Sequence, residues 1–133
     1  MTATETTPKP IKQLLQEVFD KVTKHLLTQN EKSLSSSGHC AYRGNHNRMC
    51  AIGALIPDDK YASFIEDKNV ASPTVKMIIF DVFGMYKYDV YARRDFLDSL
   101  VQLQKIHDSW DVGEWRDKLT EFAKHRELKF NEQ

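Results

Sequence analysis

Apolar residues recur at Ile11, Leu14, Leu15, Val18, Val22 and Leu26, with lysines, glutamines and acids between them. That is the 3.6-residue period of an amphipathic helix, and it predicts one from Ile11 to the neighbourhood of Gln29 and Asn30. The same period returns at Val75, Ile78, Ile79 and Val82. There Ser72 is placed as an N-cap, Pro73 as the first helical residue and Gly84 as the closing residue. A third run, Phe96, Leu97, Leu100, Val101, Leu103 and Ile106, predicts a helix over Arg93 to His107. The last stripe is Trp115, Leu119, Phe122 and Ala123, preceded by Asp111 and Glu114 at the spacing of a capping box.

The chain between the first two helical patterns reads differently. Ser33 to Gly38 is a serine-rich loop, and Cys40-Ala-Tyr-Arg-Gly-Asn-His-Asn-Arg-Met-Cys50 follows it. Gly44, Asn45 and Asn47 tolerate left-handed backbone, so Arg43 to Arg48 is expected to turn tightly and close a small hairpin. Met49 to Leu55 is apolar nearly all round and is expected to be a buried short helix that Pro57 ends. Gly53 and the alanines beside it would let another element come close. Pro57 to Tyr61 resembles a first helical turn with Asp58 and Asp59 at its positive end. Glu66 to Ser72 is expected to be a loop. Tyr86 to Tyr91 alternates too briefly for a strand and reads as a loop with aromatic anchors. The sum is a mainly α fold: a single-domain helical bundle over residues 11–128 with a small β-hairpin or irregular insert around 40–49. Disordered tails are expected at 1–10 and 129–133.

Composition changes this picture little. A chain of 133 residues with 41% hydrophobic content can form a core without disulfides or a metal. Nineteen basic and nineteen acidic residues balance overall, and no half is polarised. Duplex binding draws on neutralised phosphates, so nucleic acid is disfavoured as a partner. If it did bind, Arg43, Arg48, Arg93 and Arg94 would be the contacts. The first ten residues lack the apolar stretch of a signal peptide, and no run reaches a membrane span. A cytoplasmic protein with free thiols is expected.

Candidate chemistry centres on the two cysteines. His39, Cys40, His46 and Cys50 are four nitrogen or sulfur ligands within twelve positions, and His107 could replace one. Zinc modules use tighter ligand pairs, so no metal site is favoured and no cofactor is expected. Cys50 near a helix N-terminus, with His107 as base, would make a cysteine nucleophile. Asp108, adjacent to His107 on a helix, is expected to point elsewhere. The favoured reading packs both thiols as small core groups. Arg43 beside a tight turn either binds an anion or anchors the loop on Asp58, Asp59 or Asp108. Tyr42, Arg43, Tyr86, Tyr88 and Tyr91 are the candidate binding residues, since tyrosine and arginine are enriched in contact hot spots.

Cys40-x-Tyr42-Arg43-Gly44, then Cys50-Ala-Ile-Gly53-x-Leu55-Ile56-Pro57-Asp58 and Tyr61, resembles the motif of an uncharacterised family of small proteins of bacteria and tailed phages. Leu103-Gln104-x-Ile106-His107-Asp108 and the pattern Trp115, Leu119, Phe122, Ala123 and Leu128 fit the same family, as does Val18 to Val22. In this chain Asn45-His-Asn-Arg48 replaces a turn richer in glycine and proline. The resemblance implies a phage or bacterial origin and a bacterial host-cell cytoplasm, and it implies no reaction. The expected function is that of an interaction or regulatory protein that binds and modulates a host or phage protein. The alternative is a small cysteine-dependent enzyme or zinc-binding module centred on Cys40, Cys50 and His107, and a nucleic-acid-binding protein is third.

Overall fold

A computed structural model describes residues 8–130. It is mainly helical, with α1 over Ile11–Gln29, α2 over Pro73–Phe83, α3 over Val90–Ser109 and α4 over Trp115–His125. No helix in the described residues is long and apolar enough to cross a membrane.

The helix ends follow local chemistry. Asn30, left-handed at φ 54°, closes α1 and donates its N–H to the Leu26 carbonyl. Ser72 Oγ accepts the Val75 N–H at the start of α2, and Gly84 at φ 63° ends it. α3 begins three residues before the predicted start. Asp89 caps it by accepting the Ala92 N–H at 2.8 Å. Val90 and Tyr91 in that first turn face solvent, so the apolar period carries no sign of them. The capping box predicted for α4 does not form: the Asp111 side chain makes no cap bond. The Asp111 carbonyl instead accepts the Glu114 N–H in a 3-10 turn, and the buried Trp115 opens the helix while its indole donates to the Trp110 carbonyl.

One cluster of buried side chains joins the four helices. α1 lies against α3 and α4, and α3 against α4. Phe19 of α1 stacks on Phe122 of α4 at 5.7 Å, and Phe130 meets Phe19 edge-on at 5.4 Å. Phe83 meets Phe96 edge-on at 5.3 Å and ties α2 to α3.

The tails expected at 1–10 and 129–133 lie partly outside the described residues, and the parts inside are held. Gln16 exchanges two 2.8 Å hydrogen bonds with the Lys129 backbone, and the Lys9 carbonyl accepts the Tyr88 hydroxyl at 2.7 Å.

Segment 30–72 carries two further local departures from expectation. The insert is irregular rather than a hairpin: its only pairings among the described residues are isolated antiparallel bridges, Leu34 with Cys40 and Arg43 with Met49. His46 and Asn47, at φ 60° and 59°, curl the tip into a 3-10 turn. Groups that would extend a ladder turn to residues 33–34 instead: Ala41 N–H to the Ser33 carbonyl and Asn45 N–H to the Leu34 carbonyl. Met49 to Leu55, expected to be helical, holds only a 3-10 turn at Gly53–Leu55. A helix from Met49 would bond the Gly53 N–H to the Met49 carbonyl, but Gln29 Nε2 takes that carbonyl at 3.0 Å. Met49 N–H goes to Gln29 Oε1, Ile52 N–H to Gln104 Oε1, and Gly53 N–H to Cys50 Sγ. Gly53 does admit a close neighbour, because a Cβ there would collide with the Tyr42 carbonyl.

Candidate functional site

The motif around Tyr42 and Arg43 folds about the carboxylate of Glu66. Its two oxygens accept the Tyr42 N–H at 3.0 Å, the Arg43 N–H at 3.1 Å and the Tyr61 hydroxyl at 2.7 Å. A carboxylate receiving two adjacent amides is a strong clamp on a bent backbone. The Arg43 guanidinium reaches Asp58 at 2.7 Å and the Ile56 carbonyl at 2.6 Å, and it lies 4.7 Å from the centre of the Tyr61 ring. Arg43 thus closes the loop on Asp58. Tyr42 is buried, and its hydroxyl donates to the Lys68 carbonyl at 2.6 Å. Burial pushes the pKa of the Tyr42 hydroxyl up, and burial followed by the Glu66 contact pushes that of Tyr61 up to about 12.

A second anchor binds the insert to α3. His107 is fully buried, and its Nε2 accepts the Ser33 N–H at 3.0 Å. An acceptor at Nε2 leaves the ring proton on Nδ1. That proton points at Asp108 Oδ1, 2.7 Å away. Asp108 was expected to point elsewhere, yet it orients the ring, because its side chain folds back along the helix while Gln104 Nε2 donates to the same oxygen at 2.9 Å. Gln104 also takes the Ile52 amide through Oε1, so one residue of α3 holds both the carboxylate and the cysteine-rich turn. Trp115 stacks on the His107 ring at 5.4 Å.

Cys40 completes this group. Its thiol lies beside Asp108, and a ligand atom from each of Cys40, His107 and Asp108 lies within 4.8 Å of the others. In the described residues no other histidine or cysteine joins them. Cys40 and Asp108 open onto a cleft of about 610 Å³, walled by Asn69 and Val70 on one side and Val101 and Lys105 on the other.

The chemistry of this group is restrained by its own hydrogen bonds. Burial and the Asp108 charge push the Cys40 thiol up to about 11. Cys50 is fully buried, and burial pushes its thiol up to about 12, against a smaller opposing effect of the Gly53 amide. Only a 3-10 turn starts beside Cys50, at Gly53, and its amide lowers the thiol by less than burial raises it. Both ring nitrogens of His107 are committed, so neither is free to take a thiol proton. A metal at Nδ1 would have to displace the proton shared with Asp108. Moving that proton to Nε2 would set it against the Ser33 amide.

The remaining candidates are dispersed. His39 and His46 are exposed at loop tips. Tyr86 and Tyr91 are exposed, whereas Tyr88 is half-buried. Of the four arginines considered for nucleic acid, Arg43 is held by Asp58, Arg48 pairs with Glu31 at 2.7 Å, and Arg93 donates to the Tyr88 carbonyl at 2.7 Å. Sequence reasoning missed Glu66, Ser33 and Gln104. Each is a common polar residue with a decisive partner far along the chain, 23 and 24 positions away for Glu66, 74 for Ser33 and 52 for Gln104, so no local spacing marks it. Compared with known proteins, the chain matches no family model, no curated protein and no solved structure.

Proposed function

We propose that this is a non-catalytic interaction protein that binds and modulates another protein, with its contact face at the junction of α2 and α3. The observation that carries this reading is the exposure of Tyr86 (72%), Val90 (49%) and Tyr91 (74%) on a fixed stretch of backbone. Met85 is buried beneath the junction as an anchor. The left-handed Gly84, the Asp89 cap and the Arg93 bond to the Tyr88 carbonyl hold the turn on either side. Large aromatic rings on a pre-ordered turn gain contact area at low entropic cost, which is what binding hot spots require. The committed hydrogen bonds of His107 and the raised thiols of Cys40 and Cys50 weigh against catalysis. The resemblance of the central motif makes a phage- or prophage-encoded protein in the cytoplasm of a bacterial host the natural setting.

The test compares proteins cross-linked to the wild-type chain with those cross-linked to a Tyr86→Ala/Tyr91→Ala double variant. Both substitutions are at exposed positions, so stability should change by no more than about 0.5 kcal/mol at each. A partner captured by the wild type and lost from the double variant is the expected result. Equal capture by both would place the contact face elsewhere.

A further inference from the structure

Beside that junction, α1 and α2 part around a cleft of about 390 Å³. Its floor is apolar, made by Leu14 and Val18 of α1, Leu55 of the 3-10 turn, and Val82 and Phe83 of α2. Three lysines stand among its lining residues: Lys9, Lys21 and Lys87. The one acid among them, Glu17, is taken by Lys9 at 2.6 Å, which also holds Glu17 below its usual ionisation range. Lys21 and Lys87 have no hydrogen-bonded or ion-paired side-chain partner among the described residues. Among the described residues the cleft therefore combines an apolar floor with two unpaired ammonium groups.

That combination selects a ligand with two parts. An apolar body gains from leaving water against the floor, and an anionic head gains from charge-assisted contact with the lysines. The volume lies within the ~300–1,000 Å³ usual for small-molecule sites. We propose that this cleft binds a small amphipathic carboxylate, its chain along Leu14, Val18 and Val82 and its head group at Lys21 and Lys87. A cationic amphiphile meets like charge there, a bare anion leaves the floor uncovered, and a neutral alcohol leaves the lysines unpaired. The site stands on its own lining and does not depend on the protein-contact reading.

The test uses the full chain and decanoate below its micelle concentration, with acetate, decanol and decyltrimethylammonium as comparison probes. Binding is followed by calorimetry and by methyl chemical shifts. Decanoate is expected to bind saturably, to shift the methyl groups of Leu14, Val18, Leu55 and Val82 first, and to bind more tightly than any comparison probe. Lys21→Gln/Lys87→Gln should weaken it by at least about tenfold, since losing even one charge-assisted contact is on that scale and the variant removes both. Lys76→Gln/Lys124→Gln, which removes lysines outside the cleft lining, should leave it unchanged. Absence of saturable decanoate binding overturns the proposal. So does binding by acetate as tight as by decanoate, or an equal loss in the two lysine variants. Shifts confined to the Tyr86 and Tyr91 face would also overturn it and would assign the probe to the contact surface.

Discussion

At the scale of single residues, Glu66 and Asp58 form an instructive pair. Both are carboxylates bonded to the same loop, but Asp58 is 95% exposed at its side chain and holds Arg43 from solvent. Glu66 receives two backbone amides and a tyrosine hydroxyl in a partly buried position. Exposed ion pairs contribute little, whereas hydrogen bonds to a charged group in partial burial contribute about 1.5–3 kcal/mol. Glu66→Gln should therefore lower unfolding free energy in urea by about that amount, and Asp58→Asn by less than about 1 kcal/mol. Similar losses for the two variants would contradict this ranking. The two thiols give a second contrast. Cys40, pushed to about 11, and Cys50, at about 12, are mostly protonated at neutral pH. Iodoacetamide at neutral pH should label both far more slowly than it labels the urea-unfolded chain, with Cys50 slower because it is also fully buried. Labelling of native Cys50 at the unfolded rate would count against a packed sulfur.

At the scale of elements, segment 30–72 depends on close approach more than on regular structure. Gly53 has the Tyr42 backbone where its Cβ would be, and backbone cannot move aside as a flexible side chain can. Gly113 has nothing within 4 Å of the same position. Gly53→Ala should cost about 1–3 kcal/mol, the range for overpacking, while Gly113→Ala should fall near zero. Thermal unfolding of the two variants separates them, and a stable Gly53→Ala protein would mean that Tyr42 can shift. α3 carries a cap that its apolar stripe does not reveal. Asp89→Ala should cost about 1 kcal/mol and fray the first turn, seen as faster amide exchange at Ala92. Unchanged exchange there would show that tertiary contacts alone hold the helix start.

At the scale of the whole molecule, the buried ionisable groups couple folding to alkaline pH. Cys40 and Cys50 lose their protons near 9.0 in an unfolded chain and only near 11 and 12 in the folded one. Tyr61 moves from 10.0 to about 12 in the same direction. The folded state thus holds protons that the unfolded state releases, and stability falls wherever the unfolded state binds fewer protons. Stability should be fully present below about pH 9 and should be lost progressively as pH rises toward 12. Urea midpoints that decline above pH 9, with a shallower decline in Cys50→Ala, are the expected result. A flat profile across that interval would remove the linkage.

The sequence by itself determined the mainly α class and, apart from the exposed Val101, the inner faces of the four helices. It also determined the Ser72 and Gly84 ends of α2. Those features depend on neighbours within a turn or two, where period and capping chemistry act. Tertiary structure decided the rest. Tyr42 and Arg43 were legible as special, but their partner Glu66 lies more than 20 positions away. His107 and Cys40 were legible as reactive types. Only the fold brings the Ser33 amide to His107 Nε2 and Asp108 to both residues, which turns candidate ligands into an internal tether. The hairpin expected around 40–49 gives way for the same reason: amides and carbonyls pair with whatever the fold brings nearest, and here that is residues 33–34, the Glu66 carboxylate and the Gln29 side chain of α1. The lysines of the apolar cleft show the limit most plainly, since Lys21 and Lys87 sit on different elements and acquire a common purpose only when the helices pack.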